Sequence, residues 1–170
     1  MKSRIVCFGI ISLFLLSGSF VSAQSKADTE AIHKLIDKYG ETEDAGDMVM
    51  QAKLMTADRV WIGPVGSGRI ANQAMNMESQ QSQFDAAKAF VAGVKWFTDD
   101  RDRLIKFYGD GKVAVASFYR YRTFVLPADT PLEKAKLFSS PQPIVITLVL
   151  EKKGDWKIVH THVSSLNPPN

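Results

Sequence analysis

Thiols are almost missing from this chain: Cys7 is its one cysteine in 170 residues. No disulfide can therefore close within it, and no cysteine-based zinc site can be built. Histidine is nearly as scarce, with His33, His160 and His162 making up the set. An excess of one charge is missing too. Lys and Arg number 21 against 18 acids, for a formal net charge of +3, which leaves no electrostatic footprint for nucleic acid. Internal repeats and low-complexity tracts are absent. Gly66-Ser67-Gly68 lacks the spacing of a phosphate-binding loop and reads as a turn. No G-x-S-x-G elbow precedes Ser164, so Ser164 and His162 do not read as a nucleophile and its base.

What is present begins with an export pattern. Lys2 and Arg4 form a short positive start, Ile5 to Phe20 is apolar with small interruptions, and Val21-Ser22-Ala23 offers small residues at the cleavage positions. The run is shorter than the ~20 residues of a spanning helix. Residues 1–23 are thus expected to be a signal peptide cut after Ala23, leaving 24–170 as one domain in the periplasm or outside the cell. Cleavage would remove Cys7, and with Lys2 and Arg4 two of the three excess positive charges. A lipid anchor would need a cysteine where Gln24 stands. The product is expected to be free of the membrane.

The remaining pattern is helical first and extended later. Ile32, Leu35, Ile36 and Tyr39 form one apolar stripe, predicting a helix over 28–44 capped by Asp28, with Gly46 as its stop. Asp47 can cap a second short helix through Leu54. Residues 58–62 read as a strand closed by Gly63-Pro64, and 70–91 as a third helix buried along Ile70, Ala74, Met77, Phe84 and Val91. Its polar segment Ser79 to Gln83 suggests a break or a solvated turn. Period-two strands are then predicted over 103–108, 113–125, 142–151 and 156–165. Gly109 to Lys112 and Lys152 to Asp155 are hairpin turns. Leu126 to Pro141 is long for a hairpin loop and is expected to fold over an opening. Helices followed by antiparallel strands give an α+β fold, with helices on one face of a curved sheet.

Strand alternation sorts the candidate site residues. It places Trp156, Ile158, His160, His162 and Ser164 on one face of the last strand. In the long strand it groups Val113, Val115, Ser117, Tyr119, Tyr121 and Thr123, opposite Ala114, Ala116, Phe118, Arg120, Arg122 and Phe124. Aromatic, hydroxyl and imidazole groups among aliphatic ones suit a small-molecule cavity. The histidines are equally readable as structural groups bonded to backbone. His-x-His needs a third ligand before it holds zinc, and no metal or cofactor is expected. For acid–base chemistry, His160 or His162 would need an acid such as Asp44, Asp47 or Asp102 beside it. Trp61 reads as core or as cavity wall.

Taken in order, these segments resemble the SnoaL-like branch of the nuclear transport factor 2-like superfamily. The likeness rests on Gly154-Asp155-Trp156-Lys157-Ile158-Val159-His160-Thr161-His162-Val163-Ser164, on Ala45-Gly46-Asp47, on Asp58-Arg59-Val60-Trp61-Ile62-Gly63-Pro64, on Gly68-Arg69 and on the hairpin Phe107 to Val115. The closing strand is also similar to the end of the association domain of calcium/calmodulin-dependent protein kinase. The resemblance implies a cone-shaped, cystatin-like fold with N-terminal helices on a strongly curved antiparallel sheet, and a homodimer packed through the sheets. It implies no single activity, because the scaffold hosts isomerases, dehydratases, cyclases, epoxide hydrolases and non-catalytic modules. The expectation is a binder of a small, partly apolar molecule, with Trp61, Tyr119, Tyr121, His160 and His162 lining its pocket. A lyase or isomerase using His160 or His162 as base, and a dimeric assembly module, are the alternatives.

Overall fold

The computed structural model describes residues 6–64, 67–138 and 143–166, with side chains described from Lys26 onward. Met1–Ile5, Gly66 and Pro141-Gln142 therefore lie outside the described residues. The chain divides into two compact units, Met1–Lys34 and Leu35–Asn170. One helix, α1 (Val6–Ala45), runs through both. The expected start at Asp28 is thus not observed. Nothing between Val21 and Ala27 breaks a helix, so the turn continues through Asp28 instead of beginning there. Among the described residues no helix is long and apolar enough to cross a membrane.

In the second unit α1 stops where Gly46 takes φ +69°. A Cβ there would also lie 2.0 Å from the Phe84 ring, so both conformation and space require glycine. Asp47 then caps α2 (Met48–Ala52), accepting from the Met50 N–H at 2.9 Å. Strand β1 (Met55–Ile62) begins three residues before the sequence pattern indicates. Ile70 belongs to a two-residue strand, β2 (Arg69–Ile70), opposite Trp61, and not to the helix that follows. That helix, α3 (Gln73–Phe90), is capped by Asn72 and continues unbroken through Ser79–Gln83. Its interior positions are Asn76 and Met77, whereas Ala74 is exposed.

β3 (Lys95–Tyr108), β4 (Val113–Val125), β5 (Ile144–Lys153) and β6 (Asp155–Ser165) form an antiparallel meander, and the six strands lie in the order β2-β1-β6-β5-β4-β3. The expected all-antiparallel sheet is corrected at one seam: β1 pairs with β6 in parallel. No short turn joins those two strands, so no hairpin dictates their relative direction. Between β4 and β5, the loop holds α4 (Leu132–Ala135) and a 3₁₀ turn (Lys136–Phe138). Phe138 packs edge-on against Phe124 at 5.3 Å, and Lys134 donates to the Phe90 carbonyl at 2.9 Å, which ties this loop to the end of α3.

The core face of the sheet carries Ala114, Ala116 and Phe118 of β4, Ile146, Leu148 and Leu150 of β5, and Trp156, Ile158, Thr161 and Val163 of β6. The step from Ile158 to Thr161 is three residues. Val149 pairs with His160 and Leu150 with Ile158, so Val159 is an extra residue in a bulge. One inserted residue reverses the facing of everything after it.

Candidate functional site

That bulge decides where the histidines go. Before it, Trp156 and Ile158 point to the core as the alternation indicates. After it Thr161 and Val163 do, and His160, His162 and Ser164 turn to the opposite face. There His162 pairs across with Thr147, and Tyr119 with Val145, putting the two histidines on the same face as Tyr119 and Tyr121. The tyrosines are 37% and 38% exposed. Burial, then the neighbouring His162 and Arg59, holds the His160 imidazole below its ordinary value. Among the described residues, no hydrogen bond or ion pair joins a carboxylate to either histidine. Asp44 instead accepts from the Thr98 N–H at 2.8 Å and its hydroxyl at 2.5 Å. Asp47 is a helix cap, and Asp102 sits exposed in a bulge of β3 at φ 53°.

Trp61 faces the other way, toward the helices. It borders a cavity of about 470 Å³ between the sheet and the segments Leu35–Ala45 and α3. One wall is apolar: Trp61, Pro64, Ile70, Ile144, Ile146 and Val163. The other is polar: Glu43 of α1, Asn76, Ser79, Gln80 and Gln83 of α3, and Arg120 and Arg122 of β4, with Tyr39 between. A smaller cavity of about 140 Å³ lies beyond Glu43, Gln80, Gln83 and Arg122, lined by Phe84 stacked on Trp96. Of the five residues expected together, the structure thus brings Trp61 to the cavity and gathers Tyr119, Tyr121, His160 and His162 on the far side of the sheet.

The polar wall is an ion network built by local geometry. Arg120, 1% exposed, donates from Nε and Nη2 to both oxygens of Asp100, directly opposite on β3, at 2.8 and 2.7 Å. Its Nη1 donates to Glu43, whose other oxygen takes Nη2 of Arg122. The Tyr39 ring packs on the Arg120 guanidinium at 4.9 Å. Burial alone would raise the Glu43 carboxyl, but Arg122, Arg120 and Arg59 outweigh it and hold the group below the usual carboxylate range. Burial pushes the Tyr39 phenol up. Burial works against the Arg120 charge as well, and Glu43 and Asp100 more than restore it.

Arg59 completes the cluster from beneath. It is fully buried in β1, donating from Nε to Thr161 at 3.2 Å and from Nη1 to Asn76 Oδ1. Gln80 donates to the same oxygen at 2.8 Å. Among the described residues Arg59 Nη2 makes no hydrogen bond of good geometry, although the Tyr39 side chain and the Glu43 charge both act on the cation. Burial lowers the Arg59 guanidinium from its ordinary value.

The arrangement of helices and six-stranded sheet matches solved structures. An NTF2-like protein with a cystatin-like fold from Novosphingobium aromaticivorans superposes with a TM-score of 0.70 at 20% identity, over 91% of this chain and 92% of that one. The chain has the nuclear transport factor 2-like, cystatin-like fold. A nuclear transport factor 2-like superfamily protein from Salmonella enterica serovar Typhimurium gives 0.64 at 17% identity, covering 86% and 96%. ActVI-ORFA from Streptomyces coelicolor also gives 0.64, at 16% identity, covering 81% and 96%. No family model and no curated protein matches the sequence. At these identities the likeness concerns the nuclear transport factor 2-like fold and not an activity.

Proposed function

We propose that this chain is an exported binding domain for a small, partly apolar molecule, held in the cavity beside Trp61. The observation that carries the reading is the cavity itself. Its volume of about 470 Å³ lies within the ~300–1,000 Å³ of ligand sites, and its lining combines apolar and polar side chains. Trp61, Ile146 and Val163 would cover the apolar part of the ligand, and the amides of Asn76, Gln80 and Gln83 would fix its polar part. Export rests on the pattern of residues 1–23. A homodimer through the outer sheet face is supported by the resemblance and by the exposed Leu104, Tyr119 and Tyr121 on that face.

The test uses the protein as its own cell processes it, titrated with a panel of aromatic and alicyclic small molecules and followed by tryptophan fluorescence and thermal shift. Saturable binding is expected, and Ser79→Phe, which fills the cavity, should abolish it. A panel without one saturable binder at millimolar concentration would sink the reading.

A further inference from the structure

We infer that the ligand of this cavity is a monoanion, an amphipathic carboxylate with an apolar body. The inference rests on the binding reading above and deepens it. Arg120 and Arg122 line the cavity and pair with two carboxylates, Glu43 and Asp100, and a third arginine, Arg59, lies behind the cavity wall. Among the described residues the Asp100 carboxylate is bonded by Arg120, and Glu43 is shared by Arg120 and Arg122. Among the described residues Arg59 hydrogen-bonds to neutral groups, Asn76 and Thr161, with Tyr39 beside it, and the carboxylate whose charge reaches it, Glu43, is already bonded by Arg120 and Arg122.

A fully buried cation without a counter-charge is costly, and such a charge is normally paired or hydrogen-bonded throughout. Among the described residues Arg59 makes no ion pair of its own, and its Nη2 lacks a hydrogen bond. It stands one contact from the cavity, behind Tyr39 and Asn76. Its field favours a negative group in the cavity. Arg122 is 31% exposed on the cavity wall and can donate directly to that group. Three guanidinium groups against two carboxylates leave one net positive charge, which suits one carboxylate better than a dianion. The apolar wall of Trp61, Ile146 and Val163 would take the body attached to it. Asp44 does not supply the missing charge, for both its oxygens are bound to Thr98 beside the smaller cavity.

The experiment compares phenylacetate with phenylacetamide, equal in shape and different in charge, by titration calorimetry on the full protein. The carboxylate is expected to bind at least tenfold more tightly. Asn76→Asp then places a carboxylate on Arg59 at a contact that already exists. This variant should melt higher than the native protein and lose the preference for the anion. A merely structural Asn76 would leave the preference unchanged. Equal affinities for the two probes would overturn the inference and leave the cavity reading standing. Neither probe binding, while a neutral member of the panel does, would overturn the inference and leave the cavity reading standing. The native comparison decides the matter by itself should Asn76→Asp fail to fold.

Discussion

Arg120 and Asp100 sit directly opposite each other on neighbouring strands and share two hydrogen bonds, at 2.8 and 2.7 Å, with 1% and 3% of their side chains exposed. A pair so deeply covered is stable only while both members remain. Asp100→Ala should destabilise the fold by about 3 kcal/mol or more, because it leaves a buried guanidinium short of its main partner. Urea unfolding would measure the loss. A change within ~0.5 kcal/mol, the scale of ordinary surface substitutions, would show the pair to be dispensable.

Glu43 sets a pH dependence. Its folded value is lowered, so its contribution is fully present above the ordinary carboxylate value and is lost as pH falls through the folded one. Stability should therefore be flat in this respect near neutral pH and decline on the acid side. Glu43→Gln should be less stable at neutral pH and should flatten that decline. Urea midpoints of the two proteins across the acid range provide the check, and parallel curves would contradict it.

Ligand binding should divide the aromatic and imidazole residues by face. Trp61→Ala is expected to weaken a bound small molecule about tenfold or more, roughly the contribution of one buried aromatic contact. His160→Ala and His162→Ala should leave it within about twofold, because both project from the other side of the sheet. Titration of the three variants with the best binder of the panel tests the division.

The outer face should carry the association of two copies. Leu104 pairs across with Ser117, on the same face as Tyr119 and Tyr121, and all three large side chains are exposed. Leu104→Asp with Tyr121→Asp should convert a dimer to a monomer of unchanged circular dichroism. Sedimentation reads the mass. A native protein that is already monomeric at high micromolar concentration would remove the proposal.

Processing should leave Gln24 as the first residue of the exported protein. Intact mass and N-terminal sequencing of extracellular or periplasmic material would show it. Protein found only in the cytoplasm with residues 1–23 attached would rule it out.

The fold class, the hairpin turns, the stop at Gly46 and the cap at Asp47 were legible from the sequence, since each depends on neighbours in the chain. Period-two alternation placed Ala114, Ala116, Phe118, Arg120 and Arg122 together on one face of β4. Two arginines on an aliphatic face are themselves a sign of a buried polar site. Glu43, one helical turn beyond Tyr39 on the apolar stripe, is another. Neither sign could be read until the partners were known, because Asp100 and Glu43 reach Arg120 from elements 20 and 77 residues away. Asn76 looked like any polar helix residue, and only Arg59, brought beneath it by β1, makes it interior. The histidines were misplaced for a different reason. One extra residue at Val159 reverses the facing of the strand, and sequence periodicity has no means of locating such a bulge. Local propensity and alternation thus determined the elements. Which side chains meet across them was decided by pairing register and by the burial of charge, and both are properties of the assembled sheet and helices.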